Sequence, residues 1–377
     1  MAHILISAAH KSSGKTTVSI GLAAALTGQG LNVQTFKKGP DYIDPMWLAR
    51  ATATPCRNLD YYTMSAQEIL ATFSGHSHGA DFSLIEGNKG LFDGLDLEGG
   101  NSNAALATLL GAPVILVIDT RGMTRGIAPL ILGYQAFDPA LNIAGVILNK
   151  VGGPRHERKL RAIIEHYTNV PVLGAVHRDE RLEIAERHLG LTPSNEAPEA
   201  DAKISAIASL IAAQVDLDAI KRIAATAIDL AASALPRPSA SNADLTIGVA
   251  KDSAFGFYYP GDLEALEDAG ATLITIDMTK DTALPEIDGL FIGGGFPETR
   301  MAELEANTAM RDAVARAIDD GLPAYAECGG LMYLARSLTW NGETHAMAGV
   351  IAGDVIMHKT AQGRGYVRLR ETGNGPW

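Results

Sequence analysis

Short apolar, β-branched runs alternate with longer stretches of helical spacing through the first half of the chain. The runs His3–Ser7, Val33–Phe36, Phe82–Glu86, Val114–Asp119, Ala144–Leu148 and Val172–Val176 predict strands. Between them, Ala- and Leu-rich segments such as Thr17–Leu26 and Glu157–His166 predict helices. Strands that are apolar on both faces and separated by helices make a mostly parallel, doubly wound α/β sheet covered on each side. After Pro193 the pattern changes. Glu199–Leu235 is Ala-rich and helically spaced, which predicts helices closing a first domain, and Pro236-Arg-Pro-Ser-Ala-Ser-Asn-Ala reads as a linker. A second alternating series then begins, with strands near Thr246–Ala250, Thr272–Ile276, Gly289–Ile292 and Pro323–Ala326. The expected division is therefore 1–193, a helical closure and linker over 194–243, and a second α/β domain over 244–377.

Composition narrows the partners. A chain of 377 residues exceeds what one core usually organises, in keeping with two domains. Its formal net charge of −12 argues against nucleic acid as a general partner. No apolar run reaches the length of a membrane span, the N-terminus reads as a buried strand and not as a signal peptide, and two cysteines are too few for a disulfide framework. These features lead us to expect a cytoplasmic protein without membrane or nucleic-acid partners. Local charge runs the other way: Lys11, Lys37, Lys38, Lys89, Arg121 and Arg125 gather around the motifs of the first domain, as an anionic small molecule would require.

The first of these motifs is Ser12-Ser13-Gly14-Lys15-Thr16-Thr17, between a strand and a helix. A small-residue loop entering a helix surrounds phosphate oxygens with backbone N–H groups, Lys15 adds a cation at the β/γ-phosphates, and the Thr16 hydroxyl is placed to ligand Mg²⁺. Ala9 stands where such loops usually carry their first glycine. Lys37-Lys38-Gly39-Pro40-Asp41-Tyr42-Ile43-Asp44-Pro45 follows the second strand, and the carboxyl ends of strands in a doubly wound sheet form the ligand crevice. The alternative for this segment is a rigid surface turn with solvated charges. Glu86 ends a buried strand and opens Gly87-Asn88-Lys89-Gly90-Leu91-Phe92-Asp93-Gly94, where it is well placed to hold Mg²⁺ opposite the phosphate loop. Asp119 ends another strand, as a functional carboxylate or as the cap of the turn after it. Asn149 offers an amide to a nucleobase edge or to a backbone cap.

In the second domain, Glu327-Cys328-Gly329-Gly330 follows an apolar strand and resembles a nucleophile elbow. A strained turn at the positive end of a helix would expose the sulfur and lower the thiol pKa, and Gly293-Gly294-Gly295 would supply backbone donors for an oxyanion. Cys56 lacks such surroundings and reads as structural. His156, His166, His177, His188 and His345 read as ordinary surface or core residues.

Taken together, Lys38-Gly-Pro-Asp-Tyr-Ile-Asp-Pro45, Asn58-Leu-Asp60, Glu86-Gly87 with Gly90-Leu-Phe-Asp-Gly94, Glu186-Arg-His-Leu-Gly190, Gly294-Gly-Phe-Pro-Glu298 and Glu327-Cys-Gly-Gly330 resemble the cobyrinic acid a,c-diamide synthases. These couple a dethiobiotin-synthetase-like ATPase to a class I glutamine amidotransferase domain. The resemblance spans nearly the whole chain. It implies ATP- and glutamine-dependent amidation of the a and c acetates of a modified tetrapyrrole through an acyl phosphate, with ATP and Mg²⁺ bound. It implies catalytic roles for Cys328, Lys15 and Glu86, nucleotide contacts from Ser12, Ser13, Gly14, Lys15, Thr16, Thr17 and Asn149, substrate contacts from Lys38, Asp41, Tyr42, Asp44 and Asp93, and metal contacts from Thr16 and Glu86. Two departures qualify it. Asn88-Lys89 replaces residues usually apolar in the family, and resembles a branch that amidates sirohaem. The family's glutaminase histidine lies beyond Trp377, so the second domain is expected to be an incomplete piece or to work from free ammonia. A positional ATPase switch of the ParA/MinD type is the rival from outside the enzymes, with His10 at the place of its early lysine. The oligomeric state is not legible, a homodimer being one option.

Overall fold

The computed structural model describes residues 1–187, 190–231, 244–360, 362–363, 365–368, 370 and 372–373. The expected linker at 236–243, His188, part of the Glu186–Gly190 motif and the last residues lie outside the described residues. The chain divides into two compact units, Met1–Pro238 with Tyr259–Glu264 and Ser239–Tyr258 with Ala265–Trp377. Among the described residues, no helix is long and apolar enough to cross a membrane.

The first unit runs β1 (His3–Ala8), α1 (Lys15–Gly28), β2 (Val33–Lys38), α2 (Ile43–Thr52), β3 (Arg57–Leu59), α3 (Ala66–Ser77), β4 (Phe82–Glu86), α4 (Asn103–Leu110), β5 (Val114–Asp119), α5 (Ile127–Phe137), β6 (Ile143–Val151), α6 (Pro154–Tyr167) and β7 (Val172–His177). Two short strands, β8 (Glu186–Arg187) and β9 (Gly190–Leu191), and two helices, α7 (Ala200–Gln214) and α8 (Leu217–Ala224), follow. Among the described residues, β3, β2, β4, β1, β5, β6 and β7 lie side by side in that order, all parallel. Every residue of β1 and β5 is buried, as unbroken apolar runs require when helices cover both faces. The helical closure forms as α7 and α8. Gly21 of α1 lets α7 approach closely, because a Cβ there would stand 2.3 Å from Ile211.

Two boundaries shift with consequence. The strand expected at Val33–Phe36 continues through Lys37 and Lys38, which are therefore strand residues and not loop residues. Asp44 and Pro45 belong to the first turn of α2, so the expected rigid connector shrinks to residues 39–42.

The second unit has β10 (Leu245–Ala250), β11 (Phe255–Phe257), β12 (Ala271–Ile276), β13 (Gly289–Ile292), β14 (Gly294–Gly295), α10 (Met301–Ala306), α11 (Thr308–Asp319), β15 (Ala324–Ala326), α12 (Gly329–Leu334), β16 (Ala335–Trp340), β17 (Glu343–Ala346) and β18 (Ile351–Ile356), while α9 (Pro260–Asp268), before β12, is divided between the units after Glu264. Strands β12, β10, β13 and β15 form a parallel sheet in that order. Its core gathers Phe255, Ile276, Ile292, Leu304, Val314 and Tyr333.

Candidate active site

Strand order reverses direction about β1, with β4 on one side and β5 on the other, and this places the crevice of the doubly wound sheet at the carboxyl end of β1. The loop from Ala9 to Gly14 leaves there and enters α1. Ser12 and Gly14 both take left-handed backbone, φ +63° and +87°. A Cβ on Gly14 would lie 2.1 Å from the Asn149 amide nitrogen, so this position requires glycine. Asn149 donates from Nδ2 to the Ser13 carbonyl at 2.8 Å and accepts the Lys150 N–H on Oδ1, which commits its carboxamide to the loop. Ser13 donates to the His10 carbonyl, and Lys150 Nζ donates to the Ser12 carbonyl at 3.0 Å. Lys15 and Thr16 open the helix with Thr17 behind them, and Lys15 is almost wholly buried. Its ammonium pKa is lowered by desolvation first and then by the charge of Lys37.

Beside this loop lies a cage of carboxylates. Lys37 and Glu86 are register partners on the neighbouring strands β2 and β4, so their side chains leave the sheet together. Lys37 Nζ is 3.0 Å from Glu86, 2.5 Å from Asp44 and 3.7 Å from Asp41. The Thr16 hydroxyl lies 2.6 Å from Glu86 Oε1 and 3.2 Å from Asp44 Oδ2. Burial alone would depress the Lys37 ammonium, but Asp44, Glu86 and Asp41 overcompensate and hold it well above the ordinary lysine range. Burial also opposes ionisation of Asp44, yet Lys37 and Lys15 pull its pKa down. Glu86, fully buried, moves up through desolvation despite Lys37. Asp41 moves up for the same reason, and its Oδ1 accepts the N–H groups of Ile43 and Asp44 to start α2, with Tyr42 between. Three carboxylates against two lysines leave the cage short of positive charge.

Glu86 Oε2 is buried without a hydrogen-bond partner beside the Thr16 hydroxyl. A hard cation would satisfy that oxygen. Mg²⁺ is such a cation, held mainly by phosphates, waters and one or two carboxylates.

The loop after β4 is fixed from beneath. Asn103, fully buried at the start of α4, donates to Ser7 Oγ, to the Asn88 carbonyl and to the Gly90 carbonyl, and accepts the Asn88 N–H. Asp93 Oδ2 accepts the Gly90 N–H at 2.8 Å, so its carboxylate braces the loop. Lys38 donates to Asn88 Oδ1 at 3.3 Å. Desolvation lowers its pKa to about 8, with Asp60 opposing and Lys89 and Lys37 adding to the fall. Asp119 accepts the Arg121 N–H and pairs with the Arg121 and Lys150 side chains, which is the turn-capping alternative.

In the second unit Cys328 sits between β15 and α12 with φ +49° and ψ −112°, a strained turn. The two glycines after it are demanded by close passage: a Cβ on Gly330 would meet the Ile292 carbonyl at 2.1 Å, and one on Gly329 the Pro297 ring at 2.9 Å. The expected drop in thiol pKa is overturned. Desolvation raises it, the N–H groups of Gly329 and Gly295 lower it, and Glu298 and Glu327 raise it again, for a net rise. Burial of the sulfur, with Glu298 and Glu327 nearby, outweighs the N–H donors at the start of this six-residue helix. Of the glycine loop, Gly293 N–H is taken by the Tyr258 hydroxyl, whereas Gly295 N–H faces the sulfur. His345 is occupied with Glu305 at 2.8 Å. Cys56 is buried, and burial pushes its thiol up, in keeping with a structural role. His156 binds the Met123 carbonyl and His177 binds Glu157.

Asn103 and Lys150 were not singled out by the sequence, and Asp60 only as part of the Asn58-Leu-Asp60 motif. For Asn103 a signal existed: Ser102 is a helix cap, which places the next residue at a helix start facing the crevice.

Residues 4–191 match the CobQ/CobB/MinD/ParA nucleotide binding domain family, and residues 246–375 match the CobB/CobQ-like glutamine amidotransferase domain family. The cobyrinate a,c-diamide synthase of Magnetococcus marinus is 46% identical over 99% of this chain and 81% of its own length. That of Dehalococcoides mccartyi is 43% identical over 97% of this chain and 80% of its own. Among solved structures, the septum site-determining protein MinD with Mg-ADP from Pyrococcus horikoshii aligns with a TM-score of 0.36 at 18% identity, covering 59% of this chain and 93% of that one, a likeness too distant to bear on function.

Proposed function

The chain belongs to the cobyrinate a,c-diamide synthase family, and from that premise we propose that it uses ATP and glutamine to amidate the a and c acetate carboxylates of a modified tetrapyrrole, cobyrinate first among them. The observation that supports this most is the Thr16 hydroxyl lying within hydrogen-bond reach of both Glu86 and Asp44. It brings the phosphate loop and the acidic segment after β2 to one crevice.

A carboxylate resists ammonia because its oxygen is a poor leaving group. Transfer of the γ-phosphoryl to a carboxylate oxygen, with departure of ADP, gives an acyl phosphate, and ammonia then displaces phosphate to leave the amide. Bound through the triphosphate, Thr16 and Glu86, Mg²⁺ would neutralise charge on the transferring group. Lys15 supplies a cation at the same phosphates. Lys37 holds Asp44 and Glu86 in place, and Lys38 receives the acid to be activated. In the second unit Cys328 attacks the glutamine side-chain amide, and its ammonia leaves as a thioester forms. The match to synthases over 99% of this chain favours the enzyme over the positional-switch alternative.

Incubation with ATP, glutamine or ammonium, and either cobyrinic acid or sirohaem, followed by mass spectrometry, tests the reading. Replacement of two carboxyl OH groups by NH₂ on cobyrinic acid is expected. Amides on sirohaem alone would move the substrate to the branch suggested by Asn88-Lys89, and amides on neither would end the proposal.

A further inference from the structure

Lys89 stands at the exposed tip of the loop after Glu86 with φ +40°. Left-handed backbone costs a residue with a Cβ on the order of 1 kcal/mol, and such strain persists only where the surroundings enforce it. Here Asn103 and Asp93 enforce it by clamping Asn88 and Gly90 on either side. Glycine would occupy this position without strain, so the lysine is held for its side chain. Among the described residues Lys89 forms no ion pair.

Its neighbour Asn88 receives the Lys38 ammonium, and Lys38 is 5% exposed with no carboxylate at ion-pair distance among the described residues. Asp60 acts on it only at longer range, while Lys89 and Lys37 repel its charge. Lys37 is neutralised inside the cage; Lys38 and Lys89 are not. Positive charge left uncompensated beside a phosphate crevice suits an acceptor that brings several carboxylates.

We propose that Lys89 docks a second carboxylate of the acid acceptor while Lys38 receives the one to be activated, so that the row Lys38–Asn88–Lys89 selects acids with neighbouring acidic side chains. This rests on the amidation reading above and adds a residue that decides which acid is bound. Lys89 acts on recognition and not on phosphoryl transfer.

The test is steady-state kinetics of Lys89→Gly and Lys89→Arg with cobyrinic acid, ATP and ammonium. Lys89→Gly relieves the backbone strain, so it should melt no lower than the wild type. Its KM for the acid should rise about tenfold, with kcat changing less than about threefold and KM for ATP unmoved. Lys89→Arg keeps the cation and should recover most of the lost affinity. An acid KM within about twofold of wild type in Lys89→Gly, or an equal rise in KM for ATP, overturns the inference while amidation stands. No turnover by the wild type would remove the amidation reading and this inference with it.

Discussion

The two chemical centres of this chain are built on the same device, a strand running into a tight turn and a helix, yet they differ in electrostatics. In the first unit the carboxyl ends of β1, β2 and β4 bring Lys15, Lys37, Asp44 and Glu86 together, and the charges answer one another within a few ångströms. In the second unit the turn at Cys328 has its strained backbone and its glycines, but the nearby charges are carboxylates that oppose a thiolate. A buried parallel sheet can impose geometry by packing alone. Activation of a nucleophile needs a partner charge as well, and only the first centre has its own among the described residues.

This contrast can be broken most forcefully at Glu86. Glu86→Gln removes the carboxylate beside Thr16, and amide formation should fall about a thousandfold whether glutamine or ammonium supplies nitrogen. Loss confined to glutamine would show that Glu86 does not serve the common step. Cys328→Ala should separate the centres: glutamine-dependent turnover falls about a hundredfold or more while ammonium-dependent turnover holds. Equal loss of both in a folded variant would contradict the division of labour.

Smaller effects sharpen the first centre. Asn103→Ala leaves buried backbone groups of the Asn88–Gly90 loop unpaired, and urea denaturation should show a loss of about 1–3 kcal/mol. A loss within error would mean that the loop holds itself. Lys38 gives a pH signature. Its pKa of about 8 is set by desolvation, Asp60, Lys89 and Lys37, with Asn88 as its acceptor. In the proposed role the protonated form binds the acid, so KM for the acid should be flat below that pH and rise about tenfold per unit above it. Lys38→Arg, charged throughout, should abolish the rise.

Much of this was legible in the chain. The phosphate loop could be read because a strand, small residues and Lys15-Thr16 leave few other outcomes. The acidic segment could be read from its composition, although Lys37 and Lys38 proved to be strand residues: the apolar run ends at Phe36, but the pairing of β2 with β4 continues to Lys37 opposite Glu86. That pairing is long-range and invisible to local periodicity. The Ser102 cap marked where Asn103 stands, but its role escaped for the same reason, its partners Ser7, Asn88 and Gly90 lying 13 to 96 residues away. The thiol of Cys328 was misjudged because a helix start predicts a positive field, whereas folding desolvates the sulfur and brings Glu298 near it, and the adjacent Glu327 adds to the rise.

The central claim is that phosphate and acid acceptor meet at one crevice and exchange an oxygen there. Cobyrinic acid labelled with ¹⁸O in its carboxylates, turned over with ATP and ammonium, should deliver one ¹⁸O into inorganic phosphate for each amide formed. Amide accompanied by unlabelled phosphate would contradict the account.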